Sequence, residues 1–146
     1  MYLYNGMWYN ISMKDRYTRK QTCVYMINYH FVFCPRYRRK IFDIESVEER
    51  FKELVEERCK KDGIEIIAME CDRDHAHLFL ACTPIQSPAW VMKEIKECTG
   101  RTLRQEIEKL SRMQNLWTRS YFVSTAGEVS SETIKRYVET QKTKYV

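Results

Sequence analysis

The apolar and polar positions divide the chain into segments of two periods. From Thr22 to Cys34 they alternate. Cys23, Tyr25, Ile27, Tyr29, Phe31 and Phe33 fall on one strongly apolar face and Asn28 and His30 on the other, which predicts a long strand ended by Pro35. The period then lengthens. Ser46 and Glu49 stand in the relation of a capping box, and Val47, Phe51, Leu54, Val55 and Cys59 share one helical face that Lys60, Lys61 and Gly63 bring to a stop. Ile64 to Glu70 is β-branched and apolar. A connection, Cys71-Asp72-Arg73-Asp74, leads to a second apolar strand, so the two form an antiparallel hairpin. After the loop Thr83–Gln86, Ser87 followed by Pro88 opens a helix with Val91, Ile95 and Cys98 as its buried stripe. Gly100 is expected to interrupt or bend it, and Leu103, Ile107 and Leu110 to carry a further helical stretch. Trp117 to Thr125 is aromatic and β-prone, Ala126-Gly127 turns the chain, and a last helix from about Ser130 to Lys142 puts Ile134, Tyr137, Val138 and Gln141 on one face. Residues 1–20 have no clean period and read as an arm ahead of a single domain, 21–146.

The order β-α-β-β-α-(α)-β-α predicts an α+β fold: an antiparallel sheet packed by helices, ferredoxin-like (RRM-like) in topology. At 146 residues one domain with a real core is expected. There is no apolar run of about 18 residues, so no membrane partner is expected. The six cysteines are scattered without a C-x-x-C pair, which predicts reduced thiols and a cytoplasmic location.

Charge changes the picture more than composition does. The net charge is +5, and residues 1–40 hold eight Lys/Arg against one Asp, while the remainder is slightly acidic. Half of those eight Lys/Arg lie in Arg36-Tyr37-Arg38-Arg39-Lys40, a cationic run with an interleaved aromatic that suits a nucleic-acid backbone and a stacked base. A solvated turn has the same composition.

The candidate chemistry lies in the second strand of the hairpin, Asp74-His75-Ala76-His77-Leu78-Phe79-Leu80. Residues two apart in a strand point to one side, so His75 and His77 aim at one spot while Ala76, Leu78 and Leu80 face packing. Two imidazoles are an incomplete metal site. A zinc site of Cys71, His75, His77 and Cys82 is one completion: Cys82 has the wrong parity, and Cys71 the right parity at too great a distance along an extended strand. His30, on the mixed face of the first strand, could support the site or contact substrate, and a satisfied structural histidine is the competing reading.

The other completion comes from the last helix. Tyr137 and Gln141 are four apart and so neighbours on its surface. If that helix docks beside the histidines, Gln141 can offer an amide oxygen to an ion and Tyr137 its hydroxyl near the same ion. A divalent ion polarises a phosphodiester, which a phenol of ordinary pKa (about 10) attacks poorly without help. Attack would yield a phosphotyrosine that keeps the energy of the broken bond for rejoining. The same Y-x-x-x-Q spacing recurs at Tyr17 and Gln21, where no amphipathic helix accompanies it.

In this combination the chain resembles the single-tyrosine, HUH-type transposases of the insertion-sequence 200/605 group. His75-Ala76-His77 matches the histidine–hydrophobic–histidine signature, and Tyr29-His30-Phe31-Val32-Phe33 with Arg36-Tyr37-Arg38-Arg39-Lys40 resembles the family's first strand and basic exit. Leu116-Trp117, Tyr121 to Gly127 and Tyr137-Val138-Glu139-Thr140-Gln141 resemble its C-terminal part. Ala76 is smaller than the family's usual valine, and the region of Gly100, Arg101 and Thr102 follows the family pattern loosely.

The resemblance implies a DNA transposase that binds hairpin ends of its element as single-stranded DNA. It implies a homodimer and a nucleoid-associated enzyme. Tyr137 would be the nucleophile forming a 5′-phosphotyrosine, and His75, His77 and Gln141 would hold Mg²⁺ or Mn²⁺, the latter fitting imidazole better. A palindrome-processing relative or a replication initiator would keep the same chemistry on another substrate. A non-catalytic RRM-like module would instead expose aromatics on its sheet and have no use for the histidines.

Overall fold

A computed structural model describes residues 17–125. Its centre is a four-stranded sheet of β3 (Ile27–Phe33), β4 (Glu65–Asp72), β5 (His75–Cys82) and β6 (Phe122–Thr125), in the order β4-β5-β3-β6 with every pair antiparallel. Helix α1 (Val47–Asp62) joins β3 to β4, and α2 (Pro88–Glu106) joins β5 to β6. This is the expected ferredoxin-like arrangement. A separate ribbon pairs β1 (Thr18–Arg19) with β2 (Val24–Tyr25). The long strand predicted from Thr22 is therefore two: its first residues turn to the ribbon, Cys23 is exposed, and only Ile27 onward joins the main sheet.

Both helices lie on one face of the sheet. Phe31 and Phe33 of β3 and Ala76, Leu78, Leu80 and Cys82 of β5 form a single core with Phe51, Leu54 and Val55 of α1 and Val91, Ile95 and Leu103 of α2. The stripe expected on α1 is buried at all five positions. Its end is as predicted: Gly63 is left-handed (φ 72°), and the N–H of Ile64 reaches the carbonyl of Cys59 at 2.8 Å. Its start is not. Ser46 is itself left-handed (φ 70°) and makes no side-chain cap, so the capping box does not form. Glu48 and Glu49 leave negative charge at that terminus instead.

Helix α2 begins as expected, with Ser87 Oγ accepting from the N–H of Trp90 at 3.1 Å and Pro88 at the first turn. It then runs unbroken to Glu106, which corrects the expected interruption at Gly100. Gly100 is a contact point, since a Cβ there would sit 3.4 Å from the Trp117 ring. Next to it, Thr99 Oγ1 accepts from Trp117 Nε1 at 2.9 Å. The buried stripe includes Met92, Thr99 and Gly100, and Cys98 is only partly covered. Trp117 is buried and bridged to Pro35 rather than part of a long strand, and among the described residues β6 begins only at Phe122. Among the described residues, no helix is long and apolar enough to cross a membrane.

Candidate metal centre and basic surfaces

The face of the sheet away from α1 and α2 carries the histidines. The β4–β5 turn has only two residues, Arg73 and Asp74, so Asp72 lies directly opposite His75, Cys71 opposite Ala76, and Glu70 opposite His77. Directly opposed residues share a face. Asp72 thus joins the histidine side and Cys71 the core side, the reverse of what counting along one strand suggested. The zinc alternative falls on this register. Cys71 and Cys82 are both 2% exposed in the core, and burial pushes the Cys82 thiol up to about 11, far from a thiolate ligand.

Ligand atoms of Asp72, His75 and His77 lie within 4.8 Å of one another. Both ring nitrogens of His75 rest on carboxylates: Nε2 is 3.1 Å from Asp72 and Nδ1 2.9 Å from Asp74. His77 is buried at 7% exposure. Its Nδ1 lies 3.1 Å from Nε2 of His30, and its Nε2 has no hydrogen-bond partner among the described residues. A buried imidazole nitrogen without a partner is costly unless something else takes its lone pair. Two imidazoles and a carboxylate form a donor set that suits a divalent cation such as Mn²⁺.

Burial holds His77 below the ordinary histidine pKa, helped by the neighbouring His75 and opposed by Asp72 and Glu70. A neutral imidazole is the form that ligates. Burial, then the proximity of His77, pushes His30 down to about 4. Asp74 is held below the usual carboxylate range: burial would raise it, but the hydrogen bond from His75 and the charge of Arg38 win. A cleft of about 680 Å³ fronts these groups, walled by Val32, Cys34, Arg38, Lys40 and Arg73.

The basic run exits β3 through a turn in which Tyr37 (φ 61°) and Arg38 (φ 51°) are both left-handed, unusual for residues with a Cβ. The turn is pinned by two hydrogen bonds, from the Arg36 N–H to the Leu116 carbonyl at 2.8 Å and from the Thr118 N–H to the Cys34 carbonyl at 3.0 Å. It divides the cluster. Arg38 and Lys40 line the histidine cleft, where Arg38 meets Asp74 at 3.2 Å. Arg36 and Tyr37 line a second groove with Lys96, Arg101, Arg104 and Arg119, and Arg39 adjoins it beside Lys109 and Arg112. Tyr37 is 76% exposed, with the guanidiniums of Arg36 and Arg39 within 5.6 and 5.8 Å of its ring centre.

Of the residues singled out in the sequence, the structure joins His75 and His77 at one site and separates the five basic-run residues between two surfaces. Tyr137 and Gln141 lie outside the described residues. Sequence reasoning missed Asp72, whose signal was the shortness of the turn, and the contact of His30 with His77. On the sheet face away from α1 and α2, Phe122 is an exposed aromatic, while Phe79 is buried under His30.

Comparison with known proteins gives one consistent set. The family model described as "Transposase IS200 like" matches residues 23–141. The ISDra2 transposase TnpA of Deinococcus radiodurans is 31% identical over 124 residues, covering 83% of this chain and 88% of that protein. The transposase for insertion sequence element IS200 of Salmonella typhimurium is 29% identical over 116 residues, covering 77% and 75%. A solved transposase structure from D. radiodurans R1 superposes with a TM-score of 0.70 at 27% identity, over 85% of this chain and 97% of the other. A REP-associated tyrosine transposase bound to a REP hairpin shares the fold, with a TM-score of 0.63 at 12% identity over 87% and 74%.

Proposed function

Because the chain belongs to the family of IS200-like transposases, we propose that it cleaves and rejoins single-stranded DNA at the hairpin ends of an insertion sequence, through a 5′-phosphotyrosine on Tyr137. The observation that carries the reading is the buried Nε2 of His77, without a partner among the described residues, on a side chain grouped with His75 and Asp72 on the sheet face away from α1 and α2. His75, His77 and Asp72, with Gln141, would hold a divalent cation, Mg²⁺ or Mn²⁺. Once bound, such an ion would withdraw charge from the non-bridging oxygens of the scissile phosphate.

The chain's own groups supply the rest. Tyr137 Oη forms a bond to phosphorus, the bond from phosphorus to the 3′ oxygen breaks, and that oxygen takes up a proton equivalent to the one lost by the phenol. The freed 3′-hydroxyl and the phosphotyrosine are the two halves of a reversible exchange. Arg38 and Lys40 place positive charge beside the strand entering the cleft. Arg36, Tyr37 and Arg39, on the other side of the turn, offer a cationic groove with a stacking ring for the hairpin. The protein works as a homodimer in this reading.

The test mixes protein, Mn²⁺ and single-stranded element ends and looks for a protein–DNA adduct that survives denaturation. The wild type forms it. Tyr137→Phe binds the hairpin and forms none; normal adduct formation by that variant would remove the nucleophile assignment. Repeating the assay with unrelated palindromes separates an element transposase from a palindrome-processing relative.

A further inference from the structure

His30 occupies the middle of β3, on the histidine face, opposite Phe79 in the register. Its ring stacks on Phe79 with centroids 4.1 Å apart and planes 6° apart, and Phe122 closes its other edge at 6.0 Å. The stack fixes the ring so that Nε2 reaches the diagonal neighbour, His77 Nδ1, at 3.1 Å. At 7% exposure each, water does not compete freely for this contact.

The proton inventory of that pair is constrained. A neutral imidazole carries one N–H. A nitrogen that takes a cation must be bare, so if His77 Nε2 is the ligand atom, the single proton of His77 sits on Nδ1. An Nδ1–H directed at His30 Nε2 requires that atom to accept, which places the His30 proton on its own Nδ1. Both rings then have one defined tautomer. The opposite arrangement, His30 Nε2 donating to His77 Nδ1, would put a proton on His77 Nε2 and close that nitrogen to a cation.

We propose that His30 is a positioning residue: it accepts the Nδ1–H of His77 and so locks His77 in the tautomer whose Nε2 is open to the divalent ion. This rests on the metal reading above. His75 has the equivalent device in Asp74, a carboxylate 2.9 Å from its Nδ1. The two ligand histidines are thus held by different acceptors, a carboxylate at the hairpin turn and a neutral imidazole under the sheet surface, where an anion would be expensive to bury.

Two variants separate the acceptor from the packing. His30→Phe keeps an aromatic on Phe79 and removes the acceptor. His30→Gln can bring an amide oxygen close to the position of the lost Nε2. Nitrogen-15 NMR of the side chains in metal-free protein reads the tautomer directly. In the wild type His77 should carry its proton on Nδ1, and in His30→Phe the proton should move at least partly to Nε2. Calorimetric titration with Mn²⁺ should show affinity about 10- to 100-fold weaker for His30→Phe, with His30→Gln recovering most of the loss. A proton on Nε2 of His77 in the wild type, or Mn²⁺ affinity unchanged in His30→Phe while His77→Ala weakens it, would overturn the assignment. The wild-type spectrum decides the first point even if a variant fails to fold. Failure of the metal reading itself looks different: His77→Ala would then bind Mn²⁺ as well as the wild type, while His30→Phe still moved the proton and so upheld the lock.

Discussion

The two faces of β5 are made from alternate residues of one eight-residue strand, yet they obey different rules. Ala76, Leu78, Leu80 and Cys82 face the helices and are all 2% exposed or less. Their hydrogen-bonding needs are met by the backbone ladder, and nothing about them is chemically available. His75 and His77, one residue out of phase, share a polar face with Asp72 and His30, and one buried nitrogen there has no partner among the described residues. The first face gains stability by removing apolar surface from water. The second gives some of it up, since a buried polar atom without a partner costs about 1–3 kcal/mol. A strand can do both because its two faces are separated by a single residue of phase.

The sharpest break of that comparison is His77→Ala. It should abolish adduct formation; it removes a nitrogen that has no partner among the described residues but also the ring that His30 Nε2 meets at 3.1 Å, so the melting temperature of the metal-free protein should fall by less than in a core truncation, and retained cleavage near physiological Mn²⁺ would sink the metal role. Leu78→Ala should do the reverse. It should cost about 2–5 kcal/mol in denaturant unfolding, while the molecules that remain folded keep their cleavage activity.

A smaller effect comes from pH. His30 is neutral over a wider range when folded than when unfolded, with its pKa lowered from 6.5 to about 4. The unfolded chain therefore binds more protons between those values. Stability conferred by the neutral ring is fully present above pH 6.5 and declines as pH falls towards 4, by an amount on the order of 3 kcal/mol. Urea midpoints of the metal-free protein should follow that course, and His30→Phe should flatten it.

Arg36→Gln with Arg39→Gln tests the second groove. Hairpin affinity should drop and the slope of log affinity against log salt should become shallower by about one to two, with cleavage of pre-bound DNA less affected than in Arg38→Gln. An unchanged slope would make the groove a solvated surface. The smallest effect is expected at Gly100. Its Cβ would stand at ordinary contact distance from Trp117, so Gly100→Ala should stabilise by up to about 1 kcal/mol through helix propensity, whereas Gly100→Leu should displace the tryptophan and destabilise.

How much of this was legible in the sequence depended on whether the relevant contact was periodic. The α1 stripe, the alternation of β3 from Ile27, the hairpin and the shared face of His75 and His77 all repeat along a single element, and all were readable. Asp72 was missed because its proximity to His75 is set by the turn, not by spacing along a strand. Counting residues through Arg73-Asp74 assigned Cys71 to the wrong face for the same reason. Ser46 satisfied the composition of a capping box, but composition does not specify the backbone angle the box needs. Gly100 looked like a breaker because the sequence cannot announce that a tryptophan 17 residues later lies against it. His30 was visible as a histidine on the mixed face, and its tie to His77 needed the register of β3 against β5, which places it two residues along and one strand across.

The pinning of the basic turn has a further consequence, for the order in which the chain acquires its shape. Arg36 and Cys34 are fixed by partners at 116 and 118, about 80 residues further along the chain. Contacts of that span form late, because a long loop must close before they yield anything. While the protein is being synthesised, the cationic segment leaves the ribosome well before Leu116 and Trp117 exist to hold it. Until then it is a charged segment without the two hydrogen bonds that fix its turn. If the proposed function holds, any discrimination between one DNA shape and another by this turn would begin only when the second half of the domain has arrived.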